Sequence, residues 1–592
     1  MHFMRLGKWA LALMAAATLA GNGEALYRLA VNAVFLRRSW QSSGSYRSSG
    51  DHLDLPRGMV ERHVAPDASV YFVCIHSNRL LAVERSQHLA VSWAIGPTPV
   101  RFGYDPGIGD ADAVLGCAYG PGPEFESAGL DPDAFEEIDE GGGIVLWMRR
   151  DRSKPTSARR ADVPSPLREL AGLAAPLLVS VVGAMAAGWP GALFGLLLFS
   201  IGMAIPPLAG CRPSPGFVMA VSALCLAVSA GPATRRGMRN RLKAGQRAEG
   251  GGLMPACRAF LSRKMVWRAV AAGLGFAAVA AALTLSHTFM TPNGLGVSGG
   301  RAKLLYLAGG IPDGFFTDAA WSTLQPAYPP GLALITLGSY GLAGGCGEWM
   351  TQLLGVAAMA AVLIFFCSRM SAQWAMLVLL AAFFSPLVLR MASQYYAEPL
   401  VALFILVGWE RVRGGQEDLV GWLLIGAAGW FKNEGLVYLL ALWIAMRLFS
   451  GARSARWKHL LAAAALPALW HIGCRLHGAS LDDFAPLWQP DLQQVRMGLV
   501  RMAAYAFAEP WVYAFAYPGC AVALVMVPSM RRTSLKTAAA AAALCMIGFA
   551  WIFGISQAPD FNWHLDSAER LLWVPALLLL RELLGQGSRR IE

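Results

Sequence analysis

Three charged side chains stand where long apolar stretches of the sequence begin or break. Glu398 lies at the start of one apolar run, Lys432 interrupts another between residues 419 and 449, and Arg570 heads the last one. Charged groups at membrane depth are costly and usually face a cavity or an opposite charge. A carboxylate can take a proton from a hydroxyl, and the two cations can bind a phosphate. The three residues therefore predict acid–base chemistry beside an anion site.

Each of these residues also has a structural explanation that the sequence leaves open. Glu398 is followed by a proline, which fits the first turn of a helix, where an acid complements the helix dipole. Lys432 could simply pair with Glu434 at the break between two short helices. The anionic partner of Arg570 is Glu569, Glu398 or a lipid phosphate.

A proline-rich stretch, residues 325–331 (QPAYPPG), precedes a further apolar run. Prolines are common where a helix starts. Tyr328 among these prolines could also form a stacking wall for a sugar or for the neck of a lipid. Asp313 and Asp318 come shortly before this stretch, in the same predicted loop as Lys303. Acids in loops are usually just solvated, so each of the two is a weak candidate alone.

The composition is that of a membrane protein. Of 592 residues, 55% are hydrophobic and 15% are charged, against about 25% charged in soluble domains. This excludes a soluble globular enzyme and a disordered chain. The net charge of +12 is attributed to basic cytoplasmic loops, because no basic, aromatic-lined face for nucleic acid is present. Ten scattered cysteines without a CxxC motif make metal sites and a disulfide framework unlikely features of the fold.

The hydropathy pattern predicts a polytopic α-helical membrane protein with about 11 to 14 spans and a small N-terminal α/β extramembrane domain. The α/β domain is expected to contain short strands at Val70–Cys74, Leu89–Ile95, Ala113–Cys117 and Ile144–Met148. The predicted units are a signal anchor (1–36), the extracytoplasmic α/β domain (37–165), three spans (166–232), a basic cytoplasmic loop (233–266) and a transmembrane domain (267–592).

The alternation of spans after residue 267 brings the basic loops to one side of the membrane, the cytoplasmic one. The unusual polar segments then share the outer side. They are residues 293–330, 395–398, 432–434 and 559–570. We therefore expect these segments to meet on one face.

Five short motifs in this part of the chain occur in a recognisable order. They are residues 293–303, the QPAYPPG stretch, Tyr396-Ala397-Glu398-Pro399, Phe431-Lys432-Asn433-Glu434-Gly435, and residues 563–572 (WHLDSAERLL). Together, over roughly residues 267–583, the chain resembles bacterial polytopic glycosyltransferases of the C-type superfold. That group includes protein mannosyltransferases and the aminoarabinose transferase of lipid A, and the nearest pattern belongs to an uncharacterised branch.

The resemblance implies transfer of a sugar from a polyprenyl-phosphate donor to a cell-envelope acceptor, with inversion, on the periplasmic face of the bacterial inner membrane. It implies a carboxylate as the catalytic base, and the candidates for that role in this chain are Asp313, Asp318 and Glu398. No cofactor is implied, and a divalent cation near Glu398 is possible but not indicated by the motifs. The substrate-binding residues that it implies are Asn293, Lys303, Tyr328, Tyr396, Lys432, Glu434, His564 and Arg570.

One departure from the family pattern concerns the base. Asn293 stands where the family has an acid in the first outer loop, and an amide cannot take up a proton at neutral pH. Either one of the three acids named above replaces it, or the protein binds the lipid-linked sugar without catalysing transfer. A transporter or flippase ranks last, because the two halves of the chain show no repeat symmetry.

Overall fold

The structure is a computed structural model, and it shows helices from residue 166 onward and short strands before them. The described residues are 70–73, 100–102, 113–117, 135–141, 144–149, 166–187, 189–229, 264–285, 297–317, 324–346, 352–370, 375, 378–379, 381–382, 385–393, 395–413, 418–450, 455–479, 488–508, 513, 516–526, 533–556, 565 and 567–584.

The strands form one mixed sheet in the order β2-β1-β3-β5-β4. Strand β1 runs parallel to β2 and β3, whereas β5 is antiparallel to β3 and β4. Their bounds are β1 Val70–Val73, β2 Val100–Phe102, β3 Ala113–Cys117, β4 Phe135–Gly141 and β5 Ile144–Arg149.

Strands β1, β3 and β5 lie where the sequence predicts strands, and the fourth predicted strand, Leu89–Ile95, lies outside the described residues. Strands β2 and β4 were not predicted, since β2 has only three residues and the sequence of β4, FEEIDEG, is too acidic to form an apolar run. The boundaries and the location of the α/β domain stay predictions.

The first helices are α1 Pro166–Ala187, α2 Trp189–Gly202, α3 Ile205–Leu208, α4 Pro215–Ser229, α5 Lys264–Leu285, α6 Gly299–Ala308, α7 Gly331–Ala343, α8 Leu353–Cys367 and α9 Pro386–Ser393. The later ones are α10 Glu398–Val412, α11 Leu419–Phe431, α12 Glu434–Phe449, α13 Trp457–Leu476, α14 Leu492–Ala503, α15 Ala516–Met526, α16 Thr533–Gly554, α17 Ala568–Leu571 and α18 Trp573–Leu584. A π-helix, Ala504–Ala508, follows α14.

Two helical segments among the described residues are long and apolar enough to cross a membrane. They are Trp189–Leu208 and Thr533–Gly554, and the bent pair α9 and α10 would make a third. This is fewer than the predicted spans, and several other apolar helices in the described part of the chain have 10–17 residues. Helix α11 has 13 residues, about 20 Å at 1.5 Å per residue, against a hydrocarbon core of about 30 Å. The structure thus supports a membrane protein, and the larger number of crossings stays a prediction.

Helix α10 lies at the centre of the helical core. Nearly all of its residues are buried, including Trp409 and Val412. It packs against α8, α11 and α18. Its contact with α11 is close because glycines face each other there: a Cβ on Gly408 would lie 2.7 Å from the carbonyl oxygen of Gly421. The start of α10 is therefore buried in the packed interior, whereas Glu410 and Arg413 near its other end are half-buried.

Candidate functional site

The first element of the site is the break between α9 and α10. The axes of the two helices differ by 106°. At the break Tyr395 has a φ of +56°, a left-handed conformation that is uncommon for residues other than glycine. Its buried ring is held by a hydrogen bond between its hydroxyl and that of Thr336. This sharp turn lets a new helix begin at Glu398, as the sequence predicts.

The second element is the break between α11 and α12. Lys432 has an extended backbone with φ −159° and ψ 136°, and α12 begins at Glu434. Gly435 makes the break compact, because a Cβ there would lie 2.3 Å from the carbonyl carbon of Ala428. The predicted interruption of the apolar run is therefore confirmed by the helix bounds.

The third element is the short helix α17, which carries Arg570. Tyrosine hydroxyls from two other elements fix its backbone. Tyr438 donates a hydrogen bond to the carbonyl of Leu571 at 2.8 Å, and Tyr513 donates one to the carbonyl of Glu569 at 2.7 Å. Tyr517 donates a hydrogen bond to the carbonyl of Leu572, the next residue in the chain, at 2.7 Å. The position of the Arg570 backbone is therefore set by the surrounding helices.

These three elements bring four charged side chains together, and we name them the Glu398 cluster: Glu398, Lys432, Glu434 and Arg570. Oε1 of Glu398 accepts hydrogen bonds from Nζ of Lys432 at 3.0 Å and from Nη1 of Arg570 at 2.9 Å. Nζ of Lys432 also lies 3.0 Å from Oε1 of Glu434. The guanidinium carbon of Arg570 is 4.3 Å from the centre of the Tyr396 ring, within the range of a cation–π contact.

Two carboxylate oxygens of the cluster have no hydrogen-bond partner. They are Oε2 of Glu398 and Oε2 of Glu434, and both atoms are buried, as is the unpartnered Oδ1 of the neighbouring Asn433. The Glu398 side chain is only 2% exposed. Buried polar atoms are almost always hydrogen-bonded, and exceptions call for an explanation such as a catalytic role or a bound group. The cluster can therefore accept hydrogen bonds from a ligand.

The two cations of the cluster stay protonated. Burial alone would lower the pKa of Lys432, but the carboxylates of Glu398 and Glu434 raise it above its ordinary value. Burial likewise opposes the charge of Arg570, and Glu398 raises the pKa of that guanidinium. Against the effect of burial, Lys432 and Arg570 in turn lower the pKa of Glu398, so two cations lie beside an ionised Glu398.

The QPAYPPG stretch lies against the same region. Gly331 lies close to α11, the helix that ends just before Lys432. A Cβ at Gly331 would be 2.6 Å from the carbonyl oxygen of Trp430. Burial raises the pKa of the half-buried Tyr328 well above its ordinary value, and the carboxylates of Glu434 and Glu398 raise it further. Tyr328 is therefore within electrostatic range of the Glu398 cluster.

Arg301 holds this stretch in place, a role that sequence reasoning missed. Its Nη1 donates to the carbonyl of Tyr328 at 2.6 Å, and its Nε and Nη2 donate to the carbonyl of Val297 at 3.0 and 2.8 Å. Burial lowers the pKa of Arg301 to about 10. No sequence signal points to this role, because the acceptors are backbone carbonyls. Lys303 is buried on the same helix, α6.

Arg570 has the second of its three predicted partners, Glu398, while Glu569 forms an ion pair with Arg390 of α9. Lys432 pairs with Glu434, as the structural alternative predicted, and with Glu398 as well.

Other predicted site residues are not brought to the cluster. Asp313 is exposed in a turn, and none of its contacts in the described part of the chain joins it to Glu398. Asn293, Asp318 and His564 lie outside the described residues.

Searches for relatives add no family or function. No protein-family model, no curated protein and no solved structure matches this chain. Among the described residues, no group of three or more His, Cys, Asp or Glu side chains could hold a metal ion. The chemistry of the site therefore has to be argued from the Glu398 cluster itself.

Proposed function

We propose that this chain is a membrane glycosyltransferase, which moves a sugar from a polyprenyl-phosphate donor to an acceptor of the bacterial cell envelope on the periplasmic face of the inner membrane. The observation that carries the proposal is the meeting of Glu398, Lys432 and Arg570, which are far apart in sequence. A carboxylate with a spare oxygen beside two cations and the ring of Tyr396 suits this reaction.

In the proposed reaction, Oε2 of Glu398 takes the proton of the acceptor hydroxyl. That hydroxyl oxygen attacks the anomeric carbon of the donor sugar as the bond from this carbon to the phosphate oxygen breaks. The electron pair of the broken bond leaves with the lipid phosphate, and the anomeric configuration inverts. General-base catalysis of this kind contributes about 10²- to 10⁴-fold to a rate.

Lys432 and Arg570 have the charge that the leaving group needs. Negative charge develops on the lipid phosphate as the glycosidic bond breaks, and fixed cations in a site of low dielectric stabilise it strongly. Arg570 gives a planar set of donors, whereas Lys432 supplies a compact point charge. The cation–π contact with Tyr396 helps to hold the guanidinium in place, since its central carbon lies 4.3 Å from the ring centre.

Glu398 is favoured over Asp313 as the base by its surroundings. Asp313 is exposed in its turn, where a carboxylate remains hydrated. Glu398 is buried between two cations that keep it ionised and leave Oε2 available. Tyr328, fixed through Arg301, is proposed to line the sugar side of the site.

A second candidate function is a catalytically inactive protein that binds the lipid-linked sugar. Two observations favour it. Asn293 replaces the expected acid, and both cations share a single oxygen of Glu398, as in a structural ion-pair network. The two functions differ in whether a glycosidic bond is formed.

The test uses the purified full chain in nanodiscs, with polyprenyl-phosphate-linked glucose and mannose, radiolabelled in the sugar, and an envelope extract as acceptor. We expect transfer by the wild type and a fall of about 10²-fold or more for Lys432→Ala. The matched control is Arg447→Ala, an exposed cation of the same helical domain. Donor binding without transfer by the wild type, with transfer after Asn293→Asp, would favour the binding protein. Normal transfer by Lys432→Ala would reject the site.

A further inference from the structure

A second group of charged side chains lies at the other end of α10, about 18 Å from Glu398 at 1.5 Å per residue. Oε2 of Glu410 accepts a hydrogen bond from Nη2 of Arg413 at 2.9 Å, and its Oε1 accepts one from Nε of Arg581. Nη1 of Arg413 and Nε1 of Trp409 both donate to Oε1 of Glu582 at 3.0 Å. We name Glu410, Arg413, Arg581 and Glu582 the Glu410 cluster.

Arg369 adds a third guanidinium to this end of the molecule. It follows the last turn of α8, and its Nη1 donates only to groups of that helix end, at 3.1 and 3.2 Å. Burial lowers the pKa of Arg369 to about 10, with Glu410 raising it and Arg581 and Arg413 lowering it. Helix α8, which Arg369 follows, packs against α10, and Glu410 of α10 is among the charges that act on Arg369.

The arrangement leaves a donor and a positive charge without a counterpart. Nη1 of Arg581 is buried and has no hydrogen-bond partner, and the Arg581 side chain is 6% exposed. Arg413 and Arg581 form ion pairs with the two carboxylates. Arg369 is a third guanidinium near them, and its described hydrogen bonds go only to its own helix end. An unsatisfied buried N–H is costly, and an anionic oxygen is the acceptor that a guanidinium binds most strongly.

We propose that Arg369, Arg413 and Arg581 bind the phosphate group of an anionic phospholipid at this end of α10. A phosphodiester oxygen would satisfy the orphaned Nη1 of Arg581 and balance the charge. The basic loops are predicted on this side of the membrane, where anionic headgroups are concentrated. The site is separate from the Glu398 cluster, and it does not depend on the proposed function.

The test compares the full chain in nanodiscs of phosphatidylcholine alone and of phosphatidylcholine with phosphatidylglycerol. We expect native mass spectrometry to detect retained phosphatidylglycerol on the wild type. Arg581→Gln should weaken retention about tenfold, since one charge-assisted contact is lost. Arg447→Gln is the matched control, because it removes an exposed cation from α12 and should retain the lipid like the wild type.

Arg369→Gln keeps the test decisive if Arg581→Gln fails to fold, because Arg369 binds only its own helix end among the described contacts. It should lower phosphatidylglycerol retention several-fold. Unchanged retention in Arg369→Gln would overturn the proposal, as would equal losses in the Arg447→Gln control.

Inorganic phosphate added to phosphatidylcholine nanodiscs should not raise the melting temperature of the wild type. A rise equal to that given by phosphatidylglycerol would assign the site to a free anion and overturn the lipid proposal.

Discussion

The two ends of α10 carry clusters that each contain two acidic and two basic residues, yet the clusters differ in which polar atoms have no hydrogen-bond partner. In the Glu398 cluster the atoms without partners are acceptor oxygens, on Glu398 and Glu434. In the Glu410 cluster both oxygens of Glu410 are engaged, and the atom without a partner is a donor of Arg581. The first cluster is thus suited to receive protons or hydroxyl groups, and the second to receive an anion.

The two ends of α10 also differ in the backbone conformation of the segments near them. In the described part of the chain, the non-glycine residues with left-handed backbone are Gln325 and Tyr395. Both lie in segments that surround the Glu398 cluster. Such conformations cost about 1–3 kcal/mol and tend to occur at functional sites. The comparison suggests that the Glu398 end holds strain in order to position side chains, whereas the Glu410 end mainly joins helices.

The largest expected contrast is between Glu398→Gln and Glu582→Gln. Each change removes one carboxylate charge from one cluster. We expect Glu398→Gln to lower sugar transfer by about 10²- to 10⁴-fold, because the proposed general base is lost. Glu582→Gln should leave transfer per folded protein within about threefold while lowering thermal stability, since Arg413 loses a buried partner.

The measurement is radiolabelled product per unit of protein in the membrane, together with the melting temperature of each variant. Equal losses of transfer in the two variants would mean that both clusters act only through the fold. The contrast between the ends of α10 would then disappear.

The next contrast concerns the backbone that presents Lys432. Gly435→Ala forces a Cβ into the backbone near Ala428, so we expect the free energy of unfolding to fall by about 1–3 kcal/mol. Gly473→Ala is the matched control, because it is also helical and its Cβ would meet nothing within 4 Å. It should be neutral or stabilising by about 0.5–1 kcal/mol. Thermal unfolding in one detergent checks both, and an equal response would contradict the tight break.

A smaller effect on sugar transfer is expected from a substitution at Arg570 that keeps the charge but changes the geometry of the donors. Arg570→Lys keeps the positive charge but loses the planar donors and the contact of the guanidinium with the Tyr396 ring. We expect transfer to fall about tenfold with little change in stability. Arg413→Lys, the corresponding change in the Glu410 cluster, should alter the melting temperature and leave transfer unchanged. Full activity in Arg570→Lys would show that charge alone serves the leaving phosphate.

Local signals explain which parts of the site could be predicted. A proline after Glu398 marks a helix start, and three consecutive polar residues beginning at Lys432 must break an apolar run. Both features depend on neighbouring residues only, and both are present. For Arg570, sequence reasoning could reduce the partners to three, because the choice among them depends on how distant helices pack.

The remaining features have no local signature. Arg301 binds backbone carbonyls more than 20 residues away, and any residue type supplies such a carbonyl. The left-handed turn at Tyr395 is enforced by packing around a buried ring, since tyrosine itself does not favour it. The acidic strand β4 pairs with β5 through backbone hydrogen bonds. Its side chains therefore give no apolar pattern from which a strand could be predicted.

The smallest expected effect tests whether the strain at the Glu398 end is real. Gln325 has a φ of +47°, where glycine is free of the steric penalty that other residues bear. We expect Gln325→Gly to raise the free energy of unfolding by about 0.5–1 kcal/mol. Gln493→Gly, in the first turn of α14, should lower it by a similar amount because glycine weakens a helix. Chemical denaturation of both variants gives the sign directly. If both are destabilised alike, the backbone at Gln325 is not strained, and the two ends of α10 differ only in their side chains.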